Sequence, residues 1–482
     1  MTNQKINTFI KSYTKALRQK NAVIFAGAGL SKASGFVDWK GLLRDIAEDL
    51  GLDIDKEHDL VAITQFHINE KGGNRSRINQ ILIDKFTRDS VMTENHRLLA
   101  RMPIEIYWTS NYDKLIEEAL SDAGKTPDVK ISQPNLAISR PKSDAIVYKM
   151  HGDISQPHEA IISKDDYELY SEHRALFSTA LKGDLVSKTF LFIGFSFDDP
   201  NLNQILARVR ALLGTNQREH FCFFKRVSKD SFSNDQEYEY SKIKQDLIIK
   251  DLKRYSIEGL LVDDYSQITE ILSRIRDSFR RNVIFISGSA DDYGKWDNEL
   301  AQKFVHSLAY KLVSEEFKIV SGFGKGIGSI VINGCLEYIF SSKNRHLDEY
   351  LELRPFPQVS TGAKSLQDLR KEYREYMISS AGIAIFLFGN KLKHGKLVDA
   401  DGLYKEFQIA KNMGIKLVPI GATGFVAKAL WQKVLDQFDS LYPDYPHLKK
   451  DFEILGKENE KPETIINKIV KIVNTIRGVS DN

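Results

Sequence analysis

Twice along this chain an apolar run of β type stops at a cluster of glycines and gives way to a helical pattern. Val23-Ile24-Phe25-Ala26 runs into Gly27-Ala28-Gly29, and Lys318-Ile319-Val320 runs into Gly322, Gly324, Gly326 and Gly328. A strand ending in glycines lets backbone N–H groups approach a pyrophosphate, and the following helix N-terminus adds about half a positive charge. The chain is thereby constrained to open α/β sheets with two nucleotide-type crests. One such crest is common; two raise the question of which one does chemistry.

The rest of the pattern agrees. Strand-like runs over 22–26, 105–109, 145–149, 189–195 and 220–224 alternate with helical patterns, which predicts a mostly parallel sheet covered by helices. Residues 226–253 turn polar, and an amphipathic helix over 268–278 ends in Phe279-Arg280-Arg281-Asn282, where the domain boundary is placed. The alternation restarts with strands over 283–286, 318–320, 351–353, 383–388 and 416–420. Helices are expected over 299–313, 367–379, 403–411, 425–438 and 463–476, and an exposed loop over 341–348. The fold expected is α/β with two Rossmann-type domains, 1–281 and 282–482. A helix over 4–21 is expected to pack on its own domain.

Composition excludes several classes. With 42% apolar and 28% charged residues the chain is an ordinary globular protein, and a net charge of +3 gives no support to a nucleic-acid or membrane partner. Cys222 and Cys335 are the only cysteines and both lie in apolar runs, so neither a disulfide framework nor a cysteine zinc site is expected, and no metal is predicted. The N-terminus lacks a signal-peptide core and no apolar run approaches the ~18 residues of a membrane span, so a cytoplasmic address is expected.

The first crest does not satisfy G-x-G-x-x-G, because Lys32 stands at the third glycine. The string Gly27-Ala28-Gly29-Leu30-Ser31-Lys32-Ala33-Ser34-Gly35-Phe36-Val37-Asp38-Trp39 instead resembles the sirtuin signature. Thr109-Ser110-Asn111-Tyr112-Asp113, His151-Gly152-Asp153 and Gly194-Phe195-Ser196-Phe197-Asp198 resemble the next sirtuin blocks in the same order. The resemblance implies an NAD site made of Ala26, Gly27, Ala28, Ser31, Asp38, Trp39, Asn111, Asp113, Gly194 and Ser196, with His151 and Asn111 catalytic. It departs from the family where Ser110 replaces a glutamine and Lys40 an arginine. The four zinc-binding cysteines of sirtuin deacylases cannot be supplied, which disfavours an acyl-lysine peptide as substrate.

What remains is a pocket that holds NAD+ as substrate and breaks its nicotinamide–ribose bond with water. The pyridinium leaves neutral, so no general acid is required. The site has to stabilise an oxocarbenium-like ribose and place a water, for which Asn111 and His151 are the candidate groups. Asp113 is expected to clamp the nicotinamide amide and Trp39 to cover the ribose. An NAD+ glycohydrolase is the expectation.

In the second half, Ile286-Ser287-Gly288-Ser289-Ala290 and Ser321-Gly322-Phe323-Gly324-Lys325-Gly326-Ile327-Gly328 make two adjacent glycine–serine turns, a roomy anion nest. They resemble SLOG domains, whose hydrolases carry a catalytic Glu where Ile332 stands here, so binding without turnover is implied. A sirtuin-like domain followed by a SLOG domain resembles the ThsA-like effectors of the Thoeris anti-phage defence system. That family resemblance implies a homotetramer whose SLOG domain binds a cyclic ADP-ribose isomer from a TIR-domain partner protein. The contacts it implies are Ser287, Gly288, Ser289, Gly324, Gly326, Arg374, Lys391 and Glu406. The alternative left open is a non-catalytic NAD or ADP-ribose sensor that signals through protein contacts.

Overall fold

The computed structural model describes residues 2–87, 90–197, 199–357 and 362–478. It forms two compact units, Met1–Arg276 and Asp277–Asn482. Among the described residues no helix is long and apolar enough to cross a membrane.

The first unit is built on seven parallel strands: β1 (Ala22–Ala26), β2 (Ile106–Thr109), β3 (Pro127–Lys130), β4 (Ala145–Lys149), β5 (Thr189–Ile193), β6 (His220–Lys225) and β7 (Ile257–Val262), in the order β3-β4-β2-β1-β5-β6-β7. β1 and β5 are buried at every residue, as continuous apolar strands covered on both faces must be. Val23 and Phe25 pack on Phe177, Leu181, Leu202 and Leu206 from helices Ala175–Ser187 and Pro200–Leu213. Ile24, pointing to the other face, meets Leu99, Ile116 and Leu120 from helices Glu94–Arg101 and Leu115–Asp122. The chain leaves β1 on one side through β2, β3 and β4 and returns to β5 on the other. The crests of β1 and β5 are thus the reversal point at which open sheets hold ligands.

The N-terminal helix Thr2–Arg18 packs on its own unit, with Phe9 against Phe221 at 4.7 Å between ring centres and the Tyr13 hydroxyl donating to the Val23 carbonyl at 3.0 Å. Helices Trp39–Asp49, Leu60–Glu70 and Ser76–Phe86 form a separate apolar cluster that includes Tyr112 and Ile154 from the loops after β2 and β4. Two edge strands and a helix go beyond the sequence expectation. β3 is polar and opens on proline, and it is held by an Asp128–Lys130 ion pair at 2.8 Å. The polar stretch before the boundary contains helix Asp235–Leu252 and is followed by β7.

The second unit carries β8 (Val283–Ser289), β9 (Lys318–Ser321), β10 (Leu351–Leu353), β11 (Ile383–Phe388) and, beyond a β12–β13 hairpin (Asn390–Lys393 and Lys396–Asp399), β14 (Lys416–Pro419). Its parallel sheet runs β10-β9-β8-β11-β14, with the reversal at β8 and β11. Its core joins β11, buried throughout, to helices Asn298–Ser314 and Pro462–Arg477. The segment 341–348 is mostly loop, with a short helix, Leu347–Tyr350, beginning inside it. Both cysteines are buried and burial raises both thiols, so they behave as small apolar groups.

Candidate functional site

The four sirtuin-like blocks fall at the ends of β4, β2, β1 and β5, four strands that are consecutive neighbours in the sheet. At the β1 end the Gly27 and Gly29 amides donate to the carbonyls of Ile193 and Gly194, each at 2.9 Å. The glycines therefore serve first to seat one crest against the other. Gly194 has φ +67°, and a Cβ on it would overlap the Leu30 amide. The short helix Ala28–Lys32 starts here, with Gly27 as its cap.

Asn111 is buried beside this crest. Its Nδ2 donates to the Gly27 carbonyl and to the Ser31 hydroxyl, both at 3.1 Å, and its amide donates to Thr109 Oγ1 at 2.9 Å. Thr109 in turn donates to the Ala26 carbonyl at 3.0 Å. Ala26, Gly27, Ser31 and Asn111 are thus one hydrogen-bonded group. Asp113 is buried, with Oδ1 accepting from the Leu115 amide at 3.1 Å and Oδ2 without a hydrogen-bond partner among the described residues. A buried carboxylate oxygen in that state costs free energy until a donor reaches it.

His151 is 1% exposed. Its Nε2 lies 3.0 Å from Asp199 Oδ2, its ring is edge-on to Tyr167 and Tyr170, and its Nδ1 has no hydrogen-bond partner among the described residues. Burial alone would raise the Asp199 carboxyl. The facing imidazole and the Leu202 and Asn201 amides outweigh burial and hold it below the usual range. Asp199 is the residue that sequence reasoning missed: followed by Pro200 it reads as a helix cap, and it does cap Pro200–Leu213 through the Leu202 amide at 2.9 Å. The one available signal was its place directly after the Gly194–Phe197 turn.

Three expected residues stand apart from this group. Asp38 caps helix Trp39–Asp49 through the Gly41 amide at 2.9 Å and pairs with Lys32 at 2.7 Å, while Trp39 is half-buried against the helical cluster. Ser196 is exposed, and Asp198 of the same block lies outside the described residues. Lys40 reaches Asp55 at 3.9 Å.

At the second crest the glycine loop lies against the end of β8: a Cβ on Gly324 would overlap the Gly288 carbonyl and one on Gly326 the Ala290 carbonyl. Ser289 Oγ donates to the Asn390 carbonyl at 3.2 Å. The buried Glu406, on helix Asp401–Asn412, accepts from Ser287 Oγ at 2.6 Å and pairs with Arg374 Nε at 3.3 Å. Burial raises the Glu406 carboxyl, opposed by Ser287 and Arg374. The Arg374 guanidinium also sits 4.7 Å over the Phe356 ring. Lys391 is not part of this triad: from the β12 strand it pairs with Asp401, the first residue of the Glu406 helix. Ile332 is partly buried and packs against the core. Among the described residues no group of three or more His, Cys, Asp or Glu is placed to hold a metal ion.

Residues 105–245 match the model of the SIR2-like domain, and residues 267–476 match that of the Sir2- and TIR-associating SLOG family. The chain is 50% identical over 477 residues to the NAD(+) hydrolase ThsA of Cytobacillus dafuensis, covering 97% of this chain and 96% of that one. It is 46% identical over 475 residues to the NAD(+) hydrolase ThsA of Bacillus cereus (strain MSX-D12), covering 98% and 99%, and 44% identical over 481 residues to that of Enterococcus faecium, with the same coverage. With relatives of this identity matched along nearly their whole length, and with a SIR2-like sheet followed by a SLOG sheet, the chain belongs to the ThsA family of NAD(+) hydrolases.

Proposed function

We propose that residues 1–281 hydrolyse NAD+ to ADP-ribose and nicotinamide, and that residues 282–482 bind a cyclic ADP-ribose isomer that switches the hydrolysis on. The observation that carries the reading is the buried Asn111, tied to the glycine crest through Gly27 and Ser31, with a buried His151 on the neighbouring strand end.

In this reading the pyrophosphate and adenine side of NAD+ lie over Ala26, Gly27, Ala28, Gly194 and Ser196, and Asp38 and Trp39 close over the ribose. Asp113 Oδ2 accepts from the nicotinamide amide, which satisfies the buried oxygen. Nicotinamide departs neutral. Asn111 holds the water and the ribose hydroxyls, and His151 takes the proton released as the water adds. The imidazolium so formed faces the ionised Asp199, which stabilises it as the carboxylate of a catalytic triad does.

At the SLOG crest, Ser287, Gly288, Ser289, Gly324 and Gly326 form the cradle, Arg374 and Lys391 meet phosphates, and Glu406 meets ribose hydroxyls. A coupling of about 1–3 kcal/mol between the two sites gives about 5- to 150-fold control. The enzyme is read as a cytoplasmic homotetramer that depletes NAD+ in anti-phage defence when a TIR-domain partner protein supplies the isomer. The test is nicotinamide release from NAD+ by the purified full chain, titrated with a panel of cyclic ADP-ribose isomers. Isomer-dependent release that Asn111→Ala removes is the expected result. No release by the unaltered chain under any isomer overturns the hydrolase reading and leaves the non-catalytic sensor.

A further inference from the structure

Lys149 is the last residue of β4 and its side chain is wholly buried. An ammonium in that position needs acceptors for three N–H donors, and four surround it. Asp153, four residues on, and the Asp113 carbonyl are the nearest; the Tyr112 carbonyl and Glu117 Oε1 each lie at 3.2 Å. These acceptors come from separate pieces of chain. Lys149 and Asp153 straddle His151, so their pairing closes the turn that carries the histidine. Tyr112 and Asp113 directly follow Asn111, so the same ammonium holds the turn that carries the asparagine. Glu117 belongs to helix Leu115–Asp122, which continues from that turn.

We propose that Lys149 is a positioning residue for NAD+ hydrolysis, its ammonium fixing the Asn111 turn and the His151 turn at one separation. This rests on the reading of Asn111 and His151 as the hydrolytic pair. Strand pairing of β2 with β4 ends at Thr109 and Lys149. Beyond it, among the described residues, only two isolated backbone bonds join the turns, the Met150 amide to the Thr109 carbonyl at 3.0 Å and the Ile154 amide to the Tyr112 carbonyl at 3.1 Å; neither engages Asn111 or His151 itself. A buried charge is not needed for stability alone, because an ion pair replaced as a whole by neutral groups is often tolerated, whereas removing one partner strands the other. Retaining two carboxylate and two carbonyl partners around one ammonium therefore calls for a geometric reason. Misplacing a reacting group by about 1 Å costs on the order of 100-fold in rate.

The experiment measures kcat, KM for NAD+ and melting temperature of the full chain, with the cyclic ADP-ribose isomer that gives the highest rate and without any isomer. Lys149→Met combined with Asp153→Asn and Glu117→Gln removes the ammonium together with both carboxylates that face it. The expected result is a native melting temperature, a kcat lower by about 100-fold and a KM within about 3-fold. Lys149→Arg keeps the charge beside Asp153 and Glu117, but its planar fork cannot donate to both carbonyls from one centre; kcat lower by about 10-fold is expected. A folded variant of either kind with unaltered kcat overturns the proposal. So does the failure of both to fold, since the ammonium would then be a folding requirement only. Asn111→Ala and His151→Ala are measured in parallel. If those two remain active, the hydrolytic reading itself has failed; if they are dead and the lysine variants are active, only the lysine proposal has.

Discussion

The two crests of this chain solve the same packing problem and then diverge. In each, glycines let one strand-end loop lie directly on another, Gly194 against Leu30 in the first unit and Gly324 against Gly288 in the second. Behind the first crest the sheet buries His151, Asp199, Lys149 and Asp153, groups that can move or hold protons and charge. Behind the second lie Ser287, Glu406 and Arg374, a hydrogen-bonded and ion-paired polar group, and a helix whose Ile332 packs against the core. In the proposed reading a shared scaffold thus supports chemistry at one end of the chain and recognition at the other, and the difference lies in what is buried beneath the glycines.

The sharpest way to break that comparison is to cripple each crest separately. Asn111→Ala or His151→Ala lowers nicotinamide release by about 100- to 10,000-fold while leaving isomer binding, followed by calorimetry, unchanged. Arg374→Ala does the converse: isomer binding and activation are lost, and the melting temperature stays within a few degrees. A binding defect in His151→Ala, or full activation of Arg374→Ala, would show that the division of labour is wrong.

Next in size are the glycines themselves. Gly194→Ala puts a Cβ on the Leu30 amide at a left-handed φ of +67°, and Gly324→Ala puts one on the Gly288 carbonyl. Each is expected to cost more than about 2 kcal/mol, a fall in melting temperature of about 4–8 °C. Equal falls would support a common packing role; an intact Gly194→Ala protein with weakened NAD+ binding would make that glycine a ligand contact instead.

Much of this architecture is legible in the sequence alone. Strands β1 and β11 sit where their apolar runs predict, because a strand buried on both faces has to be apolar throughout; β4 and β10 also match their runs, although each is only partly buried and carries a charged residue. β3 and β7 escaped because their runs are broken by polar residues or glycine: β3 is Pro-Asp-Val-Lys, held by an Asp128–Lys130 ion pair that carries no hydrophobic signal, and β7 is interrupted by Glu258 and Gly259. At the site, Asn111, Ser31 and Gly27 do come together, since the blocks end neighbouring strands. Asp199 and Lys149 were not legible. A helix-capping aspartate before proline and a lysine ending a strand are ordinary surface patterns, and only the long-range geometry shows what they face. Asp38 shows the reverse, a motif residue that locally caps a helix and pairs with Lys32.

The buried carboxylates also separate the crests by the sign of their pH dependence. Asp199 has a folded pKa below its unfolded value, so its contribution is present above the unfolded pKa and is lost as pH falls through the folded one. Glu406 is raised by burial, so its contribution is full below the unfolded value and is lost as pH rises through the folded one. Asp199→Asn should therefore reduce the loss of stability on acidification, and it should lower kcat by about 10-fold or more. Glu406→Gln should remove a decline in stability with rising pH of at most about 1.4 kcal/mol per pH unit, since one proton is involved. Denaturant unfolding from about pH 2 to 8 covers both windows, the Asp199 slope lying below its unfolded value and the Glu406 slope above its own, and slopes of the same sign would contradict the assignment.

The smallest effect expected is at Lys391. It is 43% exposed at the side chain and pairs with Asp401, which is itself 63% exposed, so the resting ion pair contributes at most about 1 kcal/mol and its loss should leave the melting temperature almost unchanged. Arg374 differs in being mostly buried, held by Glu406 and stacked on Phe356, so its guanidinium is already oriented before any ligand arrives. A flexible, solvated ammonium gives up more entropy on binding a phosphate and returns less. Lys391→Ala should therefore raise the isomer concentration for half-maximal activation by about 10-fold or less while keeping the maximal rate, where Arg374→Ala abolishes activation. If Lys391→Ala proves as damaging as Arg374→Ala, the hairpin bearing it takes a direct part in switching, and the second crest is more than a pocket of preset side chains.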